Sequence, residues 1–420
     1  MLPLAENDRK FVAFTAFGRF FLARVLMFGA RSSPTLWGRC AAFLARSAQA
    51  LFDPAQVALQ CFVDDSIIQA RGPRATRRMC FAAVLLWWSV LGANVAWQKG
   101  GIGPAADWIG ANLRHSSKFI FVTVKEELLR SALELLQSCA RQNVIRVEPS
   151  RSLTGKLSFM AGLVPTLRPF VAELWAALAQ AAARDTLQKS IAPSKAARRA
   201  RPQHTVWGRQ VEHGLSWIQA FLQRTNGSLE RAFLVDTSKF EQFAVWCDAS
   251  PWGVGALLVR SSASGIELLE YIASPLCEFE LARFELEVGD PAGQAIWEAL
   301  AVLVAVRAWQ HYWTQATYAT VQVRSDSLAA LGAARRLSSS DARLNSIMQE
   351  LSLQVAVYGL NLGLLAHTPG LANKLPDALS RKFQAAGWQL PEQLRSCRER
   401  TVPPRLASWW LARNGPAHYK

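Results

Sequence analysis

Four carboxylates in the second half of the chain stand out by their surroundings. Asp248 closes the apolar run AVWCD, and Asp326 follows the run Val321–Arg324. Glu298 is the only charge between Ala295 and Val306, and Asp377 opens a final helix after Pro376. Hard divalent cations want converging oxygens, and two ions about 3.5–4 Å apart could activate a water and stabilise the leaving oxygen of a phosphodiester. Each acid also has a purely structural reading. Asp248 and Asp326 could cap turns, Glu298 could answer a helix dipole, and Asp377 suits the first turn of a helix. A second acidic feature is Asp64–Asp65 in CFVDDSII, placed between apolar runs as at a hairpin tip. Such a pair taken alone is ordinary turn chemistry.

The elements that must carry the four acids follow from periodicity. Ala244–Asp248, Gly253–Arg260 and Ile266–Ala273, the last two separated by SSASG, read as an antiparallel meander. Gln294–Trp309 reads as a helix apolar nearly all round, and therefore buried. An ionised Glu298 there is expensive without a partner. The strand Val321–Arg324, helices near Leu328–Arg336 and Leu344–Tyr358, the strand Leu360–Ala366 and the segment HTPGLANKLPDALSR complete the unit. All four acids in the order strand, strand, strand, helix, strand form a far more specific signal than any one of them.

Composition narrows the rest. The 420 residues are 51% hydrophobic and 19% charged, with 16 Trp and 21 Phe, which excludes a disordered chain and allows two or three domains. Seven cysteines, an odd count with no CxxC pair, argue against a disulfide framework or zinc knuckle and suit a reducing compartment. Glu6, Asp8, Arg9 and Lys10 interrupt any secretory leader, so an intracellular product, nuclear or cytoplasmic, is expected. The net charge of +16 is uneven: residues 1–240 carry +16, 241–385 carry −4 and 386–420 carry +4. A basic front half beside an acidic unit fits a protein that tracks nucleic acid and holds a carboxylate metal site. The uncharged run Met79–Gln98 has the length of a membrane span, although Ser89, Gly92 and Asn94 and the lack of a second span oppose it. Residues 111–175 read as mostly helical, and the basic stretch KAARRARPQH, after Pro193, reads as a linker.

WCDASPWGVGALL, QAIWEALAV, RSDSLAAL and HTPGLANKLPDALSR together resemble a retrotransposon-type ribonuclease H domain. The resemblance implies that Asp248, Glu298, Asp326 and Asp377 bind Mg²⁺ or Mn²⁺. It also implies that His367 assists water activation or product release. The front half then resembles a reverse transcriptase palm. Asp64 and Asp65 match its x-DD motif, with Phe62 in place of the commoner Tyr, and FGARSSPTLW matches its nucleotide-facing segment. LGANVAWQKG places Lys99 on the phosphate side, DWIGANLR places Trp108 and Gly110 at the primer end, and LTGKLSFMAGLVPTLRPF resembles the helical region beyond. With these anchors Met79–Gln98 becomes a palm helix rather than a span.

The implied fold is α+β and α/β. A truncated palm (1–115), a helical thumb or connection with a basic linker (116–240), a ribonuclease H-like mixed five-stranded sheet flanked by helices (241–385) and a tail (386–420) follow one another. The implied activity is hydrolysis of the RNA strand of an RNA–DNA hybrid, with no small-molecule cofactor. The family's first palm aspartate would precede Leu2, and neither Glu6 nor Asp8 replaces it. Met27 stands where the family usually has Pro. RNA-directed DNA polymerisation is therefore expected to be lost from these residues. The alternative is a decayed, non-catalytic nucleic-acid-binding remnant, and a third reading is a membrane protein spanning at 79–98. Oligomeric state and the role of the Trp409–Trp410 pair are not legible at this level.

Overall fold

The computed structural model describes residues 2–27, 29–190, 204–223, 229–235, 242–262, 265–313, 320–384 and 386–416. Most of the basic stretch expected to be a linker lies outside them. The chain divides into two units, Met1–Gly110 and Ala111–Lys420.

The first unit is built from two hairpins and two long helices. Ala13–Ala16 pairs with Arg19–Leu22 through Phe17 and Gly18, both at positive φ, the backbone that a two-residue hairpin turn requires. The helix Ser33–Gln49 starts at Pro34 and ends against the second hairpin. There the Gln49 side-chain amide donates to the Val57 carbonyl and accepts from the Leu59 N–H, each at 2.8 Å. That hairpin joins Val57–Phe62 to Asp65–Ala70. The apolar run at 79–98 is not one helix. The helix Arg74–Val90 covers its first part and stops just before Gly92, whose φ is +74°. It buries Cys80, Val84 and Trp88, one stripe at i, i+4 and i+8, while Met79, Leu86 and Val90 remain exposed. Among the described residues no helix is long and apolar enough to cross a membrane.

In the second unit, residues 111–124 are strands and not part of a helical region. Ala111–His115 and Phe119–Val124 pair antiparallel, and Glu230–Leu234 adds to the other edge of Phe119–Val124. FIFVTV is a β-branched and aromatic run, and that local preference prevails over the helical pattern that starts at Lys125. The helices Glu126–Ala140, Val147–Leu163, Arg168–Ser190 and Gly208–Leu222 follow, sharing a core around Leu136, Leu157, Phe170, Trp217 and Phe221.

The remaining elements form one mixed sheet. Its strands lie in the order Asn361–His367, Thr320–Ser325, Gln242–Ser250, Gly253–Ser262, Gly265–Pro275 and Arg398–Glu399. The three strands from 242 to 275 run each antiparallel to its neighbour, and the two beyond Gln242–Ser250 run parallel to it. This is the expected mixed five-stranded sheet flanked by helices, with a two-residue sixth strand from the tail. The helix Gln294–Ala308 follows the Asp290-capped turn Pro291–Gly293 and is buried at every residue from Ile296 to Val306. It packs between the sheet and the helices Leu328–Arg336 and Ala342–Tyr358, whose N-terminal N–H groups are capped by Ser327 and Asp341.

The tail is structural. Arg405 is fully buried and pairs with the equally buried Glu280, donating also to Ser274 Oγ and the Pro275 carbonyl, each at 2.7 Å. Trp410 is buried edge-on to Phe284, and the Ala412 N–H donates to Glu350 Oε1 at 2.7 Å. The Ala412 carbonyl accepts from Trp217 Nε1 at 2.8 Å and faces His213 Nε2 at 2.9 Å. The tail thus ties the four-helix region to the sheet.

Candidate metal centre

Asp248 lies near the end of the central strand Gln242–Ser250. Asp326 follows the parallel neighbour Thr320–Ser325, and Glu298 faces both from the buried helix. Parallel neighbours end on the same side of a sheet, which brings two strand-end acids together. The helix crossing that sheet supplies the third. One carboxylate oxygen from each of the three lies within 4.8 Å of the others.

Each acid is held differently. Asp248 Oδ2 accepts from Ser380 Oγ at 2.8 Å, and Asn373 Nδ2 donates beside it to the Cys247 carbonyl at 3.1 Å. Both partners come from the helix Lys374–Ser380 and its N-terminal edge, and two glycines let that segment lie on the sheet. A Cβ on Gly255 would run into the Pro376 carbonyl and come within 2.6 Å of the Ser380 nitrogen; one on Gly253 would lie 3.1 Å from the Ser380 carbonyl. Glu298 Oε1 accepts from Gln294 Nε2 at 2.8 Å, one helical turn away. Its Oε2 takes a longer contact, 3.4 Å, from Ser325 Oγ. Asp326 Oδ1 is buried and has no hydrogen-bond partner.

Burial and mutual repulsion set the charge state. Burial, with Asp326 and Asp377 nearby, raises the Asp248 pKa to about 7 against the pull of the Ser380 hydroxyl. Burial and the Asp248 charge raise Glu298 to about 8. The fully buried Cys247 thiol is pushed well above its ordinary value for the same reasons. Three converging carboxylate oxygens, on acids of which Asp326 also has an orphaned buried acceptor, fit a hard divalent cation, which would supply the missing positive charge.

The other expected residues lie as follows. Asp377 is not among the three; its Oδ1 accepts from Arg381 Nε at 2.7 Å, four residues on and just past the end of the helix Lys374–Ser380. His367 is exposed at the end of Asn361–His367, paired with Ser325, and so borders Asp326. Gly370 lies over that acid, where a Cβ would be 3.4 Å from Asp326 Oδ2. In the first unit Asp64 and Asp65 are both exposed at the hairpin tip beside Val63, whose φ is +58°. Trp108 is half-buried and donates through Nε1 to the Asp65 carbonyl at 3.2 Å. Lys99 is exposed in the turn Trp97–Lys99, and Gly110 has a φ of +77°. Among the described residues neither Asp64 nor Asp65 belongs to a group of three converging acids.

Sequence reasoning missed the residues that hold the acids. Gln294 had a usable signal, its spacing of four from Glu298 on one helix. Glycines at 253 and 255 inside a strand, where no turn needs both, also marked a close approach. Asn373 and Ser380 lie in the quoted HTPGLANKLPDALSR motif, though without a role assigned to them, and Ser325 had no signal beyond its place in RSDSLAAL.

The fold class is mixed α/β, a mixed sheet flanked by helices. No family model and no curated protein matches the chain. Among solved structures it is similar to a foamy viral protease–reverse transcriptase in complex with double-stranded DNA, at 13% identity and TM-score 0.43 over 87% of this chain and 54% of that one. It is similar also to a foamy viral protease–reverse transcriptase in complex with an RNA/DNA hybrid, at 12% identity and TM-score 0.40 over 96% of this chain and 45% of the other. A compost-derived ribonuclease, LC11-RNase H1, matches at 16% identity and TM-score 0.27, covering 34% of this chain and 96% of its own. The chain spans about half the length of the foamy viral chains it matches.

Proposed function

We propose that the chain is the polymerase-to-nuclease portion of a retroelement reverse transcriptase, and that it hydrolyses the RNA strand of RNA–DNA hybrids. The observation that carries the nuclease half is the convergence of Asp248, Glu298 and Asp326 with an unsatisfied Asp326 Oδ1. The resemblance read from the motifs supplies the substrate. Mg²⁺ or Mn²⁺ held by the three acids would supply Lewis-acid stabilisation of charge developing on a phosphodiester.

The protein's own part is preorganisation. Gln294 and Ser325 fix Glu298, while Ser380 and Asn373 fix Asp248, so little rearrangement is needed when the substrate binds. His367, exposed at the rim, takes or gives a proton there, and Asp377 with Arg381 borders the same side. Lys99, Trp108 and Gly110 belong to the strand-binding face of the first unit. Asp64 and Asp65, lacking a third acid among the described residues, do not support template-directed extension by these residues alone.

A hybrid oligonucleotide labelled on its RNA strand tests this. RNA cleavage with Mg²⁺ or Mn²⁺, abolished by chelator, is expected. Duplex binding without cleavage under any metal would instead establish the second reading, a non-catalytic nucleic-acid-binding remnant. The engagement of Asp377 by Arg381, outside the group of three converging acids, is the observation that favours it.

A further inference from the structure

A cavity lies in the second unit, away from the acids. It has a volume of about 420 Å³, inside the range of about 300–1,000 Å³ in which small-molecule sites fall. Thr166 and Arg168, at the start of the helix Arg168–Ser190, line one side, Arg231 another, and Arg335 the rim. The one carboxylate in the lining, Glu230, is held by Arg114 at 3.0 Å. Arg168 is fastened by its Nε to the Ala161 carbonyl at 2.9 Å and by Nη1 to the Arg336 carbonyl at 3.3 Å, which leaves Nη2 for a ligand. Arg231 lies over the Phe233 ring at 4.5 Å and has no carboxylate partner among the described residues. Thr166 is only 6% exposed, and its Oγ1 is buried without a hydrogen-bond partner.

We propose that this cavity is an oxyanion site for a phosphoryl group, formed by Arg168, Arg231 and Thr166. Two guanidiniums with no carboxylate ion pair among the described residues, a donor hydroxyl left unsatisfied and the positive end of a long helix all favour the same ligand charge. Burial lowers the pKa of both arginines, and for Arg231 the Arg168 charge lowers it further, the direction expected when two cations share a site without their anion. Leu337, Leu360 and Leu365 on the facing wall give an apolar surface for an organic group attached to the phosphate. The phosphoryl group belongs either to a nucleic-acid strand or to a free phosphorylated small molecule; the chemistry of recognition is the same. This site does not depend on the nuclease reading.

The test is thermal unfolding of the full chain titrated with inorganic phosphate, against chloride at equal ionic strength. A saturable rise in Tm is expected. Arg231→Gln should weaken the phosphate affinity at least about tenfold, because a charge-assisted contact is lost. Should that variant fail to fold, Thr166→Val decides. It should keep or raise the phosphate-free Tm, since it removes an unsatisfied hydroxyl, while weakening phosphate severalfold. No saturable shift in the wild type, or an unchanged affinity in the deciding variant, overturns the proposal. Repeating the titration with a saturating RNA–DNA hybrid separates the sources. Competition identifies a strand phosphate, and independent binding identifies a free phosphorylated molecule.

Discussion

In the first unit, Asp64 and Asp65 stand at an exposed hairpin tip beside a core centred on Ala48, Val84 and Trp88, while Phe17 and Phe20 are 101% and 85% exposed. In the second unit, Asp248, Glu298 and Asp326 stand on a sheet backed by a helix buried over eleven consecutive residues, Ile296 to Val306. Both regions carry adjacent acids, but only one holds three of them against their own repulsion. Keeping like charges within 4.8 Å takes a scaffold whose packing offsets the electrostatic cost, and a two-stranded hairpin has no such reserve. A site that stores repulsion in this way is one that a cation relieves.

The most costly way to break the comparison is to loosen the scaffold of the second unit. Arg405→Met leaves the Glu280 carboxylate buried without its counter-charge, and the chain should lose about 3–5 kcal/mol in urea unfolding. A loss below 1 kcal/mol would mean that the tail is not holding the sheet together. Glu298→Gln should slow hybrid cleavage by about 10²–10³-fold while the near-ultraviolet circular dichroism stays native. Unchanged cleavage would remove Glu298 from the site.

The third prediction concerns pH. Asp248 and Glu298 have folded-state pKa values of about 7 and about 8, above their ordinary values of 3.8 and 4.5. The folded state therefore binds protons more tightly than the unfolded one, so the stability they contribute is whole below about pH 4 and is lost as pH rises through 7 to 8. Metal-free unfolding free energy should fall between pH 5 and about 8.5 by at least the roughly 1.4 kcal/mol that one pKa unit represents, and Tm with it. Mg²⁺ should restore it mainly at the upper end, where the ligands are ionised. A flat profile without metal would show that the three acids are not coupled in solution. The smallest effect sharpens the contrast: Asp64→Asn with Asp65→Asn should change stability by no more than about 0.5 kcal/mol and leave hybrid cleavage untouched.

Local pattern made much of the second unit legible. The helix Leu328–Arg336 was read at its observed bounds, and Gln294–Trp309 differs from the observed helix by one residue, because apolar spacing and turn residues act within a few positions. The resemblance of DWIGANLR to a strand pair covers most of Ala111–His115, whereas Phe119–Val124 has no strand reading, because a short apolar run next to a helical pattern is ambiguous by period alone. The apolar run at 79–98 likewise hid a helix end at Val90, which Gly92 marks.

By itself, the sequence determined the acids, the order of the elements carrying them and the basic character of residues 1–240, since each is a matter of residue type and near-neighbour spacing. Only the tertiary structure decided that Asp248, Glu298 and Asp326 meet while Asp377 turns to Arg381. Only it showed that Ser380 reaches Asp248 across 132 positions, and that Arg405 and Trp410 of an unreadable tail complete the core. Those facts depend on which strand ends lie side by side and which glycines let a helix approach. Contacts so distant along the chain leave no periodic trace in it.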